Sequence, residues 1–348
     1  MDSMNTRVTK ETKNKIRVDY EGKLSFKDRM TQKLKASNTW ITAVVNIFRF
    51  ILMLGVSYVI LHPFLTKIAG SFMTVGDVID STVALIPKNF NLDLYQYIIF
   101  ENNYFDAFFN TLLLSLLCAL FQTFISCLIG YGLAKFKFKG NKLLMATVVL
   151  TMIIPHRMLT TSLMQHFSQF DFLKVLSMPY DGIVEVITGS PIDLTNTFWP
   201  LIILSIFGLA FKNGLYIYMM RQFFKGVPDE LEESAYVDGA GVFRTFFQII
   251  LPLAVPMMIT IFLFSFSWQW TDNFYTDIFF PAQLEKMYLM PDIIAIQPLE
   301  PFPPQAESAW VIVCQNTAAI MIILPLVIMY LFCQKYLVQG IERSGLVG

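Results

Sequence analysis

Charge is the scarcest property of this chain. Asp, Glu, Lys and Arg make up 15% of its 348 residues, against about 25% in a soluble protein, which leaves too little ionisable surface for a globule in water. Histidine is nearly missing. His62, His156 and His166 are the only three, no His-Glu-x-x-His occurs, and the apolar runs hold no paired aspartates, so metalloprotease and aspartyl-protease chemistry lack their groups. All four cysteines, Cys118, Cys127, Cys314 and Cys333, sit inside apolar runs, which argues against a disulfide framework and makes them small core residues. No Gly-x4-Gly-Lys-Ser/Thr phosphate loop is present. Neither sign of charge is in excess, with 26 basic and 26 acidic residues, which removes any global case for nucleic-acid binding.

What fills the space is apolar. Hydrophobic residues account for 55% of the chain, including 33 Phe and 18 Met. Six segments reach the roughly 20 apolar residues that a membrane-crossing helix needs. They cover about 45–66, 107–132, 143–166, 198–220, 252–273 and 310–333. Each is too long for a membrane strand and lacks strict alternation. The predicted fold is an all-α membrane protein of six transmembrane helices, a six-span domain over 45–335 preceded by a basic tail over 1–40.

Lys and Arg in the connections set the orientation, because positive loops stay cytoplasmic. Arg7 to Lys35 precede the first span, Lys135, Lys137, Lys139 and Lys142 follow the second, Arg221, Lys225 and Arg244 follow the fourth, and Lys335 and Arg343 follow the sixth. The alternate connections hold only Lys67, Lys88, Lys174 and Lys286. Both termini are therefore expected in the cytoplasm. Trp40 at the inner side and Trp199, Trp268, Trp270 and Trp310 at outer ends are placed as interface anchors. The tail reads as a solvated segment near anionic lipid, with a possible surface helix along Leu24, Phe26, Met30 and Leu34, and without the apolar core of a cleavable signal.

One connection, 226–252, is acidic where its side of the membrane is otherwise basic. Pro228 suits a first helical position, and Asp229, Glu230, Glu232 and Glu233 crowd the turns where a helix dipole favours carboxylates. This pattern predicts a short helix over about 228–238, ended by Gly239 and Gly241, and a second helical stretch from Val242 into the fifth span.

These residues carry a resemblance. Glu233-Ser234-Ala235, three residues, Gly239, nine residues, Ile249, one residue and Leu251-Pro252 resemble the EAA signature of permease subunits in bacterial ABC importers. Asp238-Gly239-Ala240, Arg221-Gln222-Phe223-Phe224 and Pro228 are similar to its carbohydrate-uptake branch, the relatives of the maltose permeases. So are Asn110-Thr111, Tyr131 to Phe136, Phe138-Lys139-Gly140, Pro155, Gln334-Lys335-Tyr336 and Gln339-Gly340, which extends the likeness over most of 85–340.

The resemblance implies a type I importer fold in the bacterial cytoplasmic membrane. It also implies a second permease subunit, as a heterodimer, two ATPase subunits that bind ATP and Mg, and an extracellular solute-binding protein, with no cofactor in this chain itself. The loop would dock on the ATPase through Glu232, Glu233, Ser234, Ala235, Asp238, Gly239, Ala240, Leu251 and Pro252, with Glu233 making a polar contact and Gly239 forming the bend. Ser234 stands where the family has alanine, a small-for-small change. Segments 167–197 and 274–309 are longer than usual for the branch.

Polar groups within spans are costly and default to function. Lys212 and Asn213 fall two thirds of the way along the fourth span; Lys212 either lines a path or snorkels to the interface. His156 and Arg157 follow Pro155, which should kink the third span. Trp268, Trp270, Asn273, Gln315 and Asn316 combine apolar faces with hydrogen-bonding groups, as a sugar site requires, although anchoring explains the tryptophans equally. Gln122 and Asn110 are read as interhelical hydrogen-bonding groups. The six prolines from Pro281 to Pro304 predict an extended segment, either a spacer or a surface for the binding protein. The expected activity is uptake of a sugar or oligosaccharide by alternating access, and the chain is expected not to be an enzyme. A permease for another solute and a self-sufficient secondary transporter are the alternatives, the latter weakened by the absence of an internal repeat.

Overall fold

A computed structural model describes residues 8–11, 17–20, 37–171, 187, 189–280, 289–291 and 304–345. By internal packing the chain divides after Thr66 into two units. The first holds an antiparallel hairpin, β1 (Val8–Glu11) and β2 (Arg17–Tyr20), with Val8 opposite Tyr20 and Glu11 opposite Arg17, within the tail expected to be a solvated segment. It also holds most of α1 (Ser37–Gly70), whose described side chains from Trp40 to Leu61 are all exposed. The proposed surface helix near Leu24 to Leu34 lies outside the described residues.

The second unit is helical. It comprises the end of α1, then α2 (Val75–Ile79), α3 (Asp93–Phe100), α4 (Tyr104–Lys135), α5 (Asn141–Ile153), a 3-10 turn (His156–Leu159), α6 (Thr160–Ser168) and α7 (Trp199–Ile206). After these come α8 (Asn213–Lys225), α9 (Glu230–Val237), α10 (Val242–Thr245), a π turn (Phe246–Ile250), α11 (Leu251–Trp270), α12 (Phe274–Phe279) and α13 (Pro304–Gly345). Among the described residues, four stretches are long and apolar enough to cross a membrane, namely Trp40–Gly70, Tyr104–Lys135, Val242–Trp270 and Ala306–Leu337.

The other two predicted spans are broken. The third bends by 95° between α5 and the helix that begins at His156, where Pro155 supplies no N–H to continue the ladder. The fourth is not one helix, contrary to the continuous span expected over 198–220. α7 ends at Ile206 with Phe207 as its cap, Gly208 turns left-handed at φ +71, and the Leu209 and Gly208 amides donate back to the Leu204 and Ser205 carbonyls at 2.8 and 3.3 Å. This is a Schellman cap, which only glycine adopts without cost. The chain restarts at Lys212, itself left-handed at φ +65.

α4 is the central post. α8 and α11 pack along it, α7 packs on it, and α13 packs on α11. Gly130 permits the closest approach, since a Cβ there would stand 2.6 Å from the Met220 Cβ and 3.0 Å from the Arg221 amide nitrogen. Gln122 donates to Ser205 Oγ at 3.3 Å, tying α4 to α7. In α13, Pro325 cannot donate to the Met321 carbonyl, and Tyr104 Oη donates to it at 3.4 Å instead. Trp270, expected at the interface, is fully buried and its Nε1–H donates to the Ile322 carbonyl at 3.0 Å.

Candidate functional site: a latched loop and a cavity at the helix breaks

The acidic loop folds as a knob. α9 starts one residue after Asp229 and ends in a second Schellman cap, with Gly239 at φ +80 and the Ala240 and Gly239 amides donating to Ala235 and Tyr236 at 2.9 and 3.0 Å. α10 and the π turn then lead into α11 immediately before Pro252.

The knob is latched to α4. Lys135, the last residue of that helix and 6% exposed, points its Nζ at the Val227 carbonyl (2.6 Å), Asp229 Oδ1 (2.5 Å) and Glu232 Oε1 (3.5 Å). The ammonium holds the Asp229 carboxyl below its ordinary value, first through the hydrogen bond and then through its charge. Arg221 Nε adds a bond to the Leu133 carbonyl at 3.3 Å.

This geometry sorts the loop residues. Glu232 and Ala235 are buried within the chain, Ala240 and Leu251 are half-buried, and Glu233, Ser234, Asp238, Gly239 and Pro252 are exposed. Glu232 therefore faces Lys135 and not outward, and Ala235 packs inward. The knob also exposes two apolar residues absent from the predicted site, Val237 at 87% and Phe243 at 80%.

A cavity of about 320 Å³ lies where the two broken spans meet. His156, Lys212 and Asn213 line it together with Phe211, Gly208, Thr151 and Tyr275. His156 Nδ1 and Tyr275 Oη share a 2.7 Å hydrogen bond. Asp272 sets Tyr275 in place by accepting the Tyr275 and Thr276 amides, each at 3.1 Å, at the start of α12. Phe211 stands edge-on to His156, with ring centres 4.8 Å apart, and to Trp268 at 5.3 Å. Lys212 Nζ lies over both rings, 5.0 Å from Phe211 and 4.9 Å from Trp268. Asn213 is 1% exposed, and neither of its amide atoms has a hydrogen-bond partner. The left-handed backbone of Lys212 costs about 1–2 kcal/mol for a side-chain-bearing residue, a strain characteristic of functional sites.

The model of the binding-protein-dependent transport system inner membrane components matches residues 122–343. This chain belongs to that family. The permease is 29% identical to the polygalacturonan/rhamnogalacturonan transport system permease protein YtcP of Bacillus subtilis over 87% of its own length and 97% of the relative's. It is 28% identical to the maltodextrin transport system permease protein MalD of Streptococcus pneumoniae, over 85% and 93%. Its fold matches the crystal structure of a bacterial ABC transporter involved in import of the acidic polysaccharide alginate, with a TM-score of 0.64 over 90% of this chain and 99% of the other at 20% identity. The permease is thus a multi-pass membrane transport subunit with an ABC-importer fold.

Of the predicted path residues, the fold brings His156, Lys212, Asn213 and Trp268 together. Arg157, Asn273 and Gln315 are exposed away from the cavity lining, and Trp270 is core. Asn316 is elsewhere, its Oδ1 accepting from Lys67 Nζ at 2.8 Å. Lys212 is not mid-helix, as expected, but at the break. Phe211 and Tyr275 were missed. Asp272 three residues before Tyr275 is the capping spacing that marks a helix start there, and Gly208 is the signal for the break. The proline-rich stretch from Pro281 to Pro304 lies largely outside the described residues.

Proposed function

We propose that this permease is the membrane subunit of an ATP-driven carbohydrate importer, moving a sugar or oligosaccharide from an external binding protein into the cytoplasm by alternating access. The observation that carries the reading is the knob over 226–252: a short rigid helix pair, latched to the central helix by Lys135 and presenting Glu233, Ser234, Val237 and Phe243 outward. Such a surface suits docking on a partner ATPase, whose closure on ATP and Mg would move the knob and the helices on either side of it. The same relatives, named as permeases for polygalacturonan, rhamnogalacturonan and maltodextrin, support the carbohydrate assignment. In this reading both termini and the knob are cytoplasmic, a second permease completes the path as a heterodimer, and two ATPases supply energy.

Purification from the native membrane should bring down an ATPase and a second permease. Saccharide uptake should require the external binding protein and stop on ATP depletion while surviving collapse of the proton gradient. Uptake that follows the proton gradient would instead establish a secondary transporter, and receptor-dependent uptake of a different solute class would remove the carbohydrate assignment alone.

A further inference from the structure

The cavity at the helix breaks holds a cation that no described residue of the chain compensates. Among the described residues no carboxylate pairs with Lys212, and none lines the cavity. Its ammonium rests over the rings of Phe211 and Trp268, which attract the charge but offer no oxygen to its three N–H donors. The next residue, Asn213, is buried in the same lining with Oδ1 and Nδ2 both unpartnered. Buried amides almost always find partners, so an empty pair calls for an occupant. The two groups are adjacent in sequence and held by a left-handed residue at the start of α8.

We propose that this cavity receives a saccharide carrying a carboxylate, a uronate unit, with the carboxylate on Lys212, sugar hydroxyls on Asn213 and the apolar ring face against Phe211. The assignment rests on the carbohydrate reading above and narrows it. A neutral sugar would leave the ammonium unpaired in a membrane-embedded site, which is costly. A sugar phosphate carries about −1.5 to −2 charge at neutral pH and would call for more than one cation. Among the described residues Lys212 stands alone in that role, since Arg157 is exposed and does not line the cavity, and His156 is engaged by Tyr275. The volume of about 320 Å³ is at the small end for ligand sites, in keeping with a chain read one short stretch at a time.

The test uses the assembled transporter in nanodiscs without its receptor, titrated calorimetrically with trigalacturonate and with maltotriose. Wild type should bind trigalacturonate at least tenfold more tightly than maltotriose, with the preference shrinking as salt is raised. Lys212→Gln should weaken trigalacturonate more than tenfold and change maltotriose less than twofold, while Lys212→Arg keeps part of the preference. Equal binding of the two sugars by wild type, or a preference that survives Lys212→Gln, overturns the proposal. The wild-type comparison decides even where a variant fails to assemble. Binding of maltotriose alone sinks the uronate assignment and leaves the carbohydrate reading standing; binding of neither sinks both.

Discussion

Replacing Lys135 by methionine keeps the stem of the side chain and deletes the ammonium. That ammonium donates to the Val227 carbonyl at 2.6 Å, a charged hydrogen bond of about 1.5–3 kcal/mol. Its loss also strands Glu232, whose side chain is 11% exposed and 3.5 Å from Nζ. Breaking a fully buried pair costs about 3–5 kcal/mol, and this longer contact belongs at the low end. The two losses share one donor and are not summed, and exposed Asp229 is left out because solvent screens it. The net is about 3 kcal/mol of local stability at the root of the knob, or roughly a hundredfold in its opening equilibrium. Hydrogen exchange on the assembled transporter should therefore show amides of 230–237 exchanging about a hundredfold faster in Lys135→Met, with those of α4 unchanged. Adding Glu232→Gln removes the stranded charge and should restore about tenfold of the protection. Unchanged exchange in the single variant would refute the latch, and a double variant worse than the single would refute the role given to Glu232.

Gly239 has open space around its Cα but a φ of +80, so Gly239→Val should cost about 1–2 kcal/mol through the backbone alone and cut receptor-stimulated ATP turnover. Gly241→Ala, at φ −77, should leave turnover within twofold. Gly130→Ala forces α4 away from Met220 and should lower the melting temperature by an amount equivalent to about 1–3 kcal/mol, while Gly132→Ala, with nothing within 4 Å, should not shift it. Trp270→Phe removes a buried donor from the Ile322 carbonyl and should destabilise the fold by about 1–3 kcal/mol without changing the ratio of saccharide affinities. An altered ratio would return Trp270 to the path.

The spans were legible because lipid imposes one composition on every face of a helix, and α4, α11 and α13 obey it. Breaks were legible only where chemistry marks them. Pro155 announces its bend by lacking an N–H, whereas Gly208 sits among apolar residues that look like uninterrupted helix. The same cap at Gly239 stood out because polar residues surround it. Trp268 and Trp270 are two apart, which on a helix turns them about 200° from each other, so only one can meet Phe211 and Lys212 and composition does not say which. Lys135 was counted as a loop charge. Its partners are 92 to 97 residues away, and no local pattern links them.

α8 begins at the cavity with Asn213 and ends at Lys225, next to the knob. Thirteen residues make a rod about 20 Å long, free of internal proline and capped by a break at its start. It joins the Lys212 and Asn213 break at one tip to the root of the knob at the other. A tilt of about 10° about its middle would carry each tip about 2 Å in opposite directions. Displacement on that scale suffices to carry an ammonium out of hydrogen-bond range, and the break at Gly208 separates α8 from α7 so that a tilt of one need not bend the other.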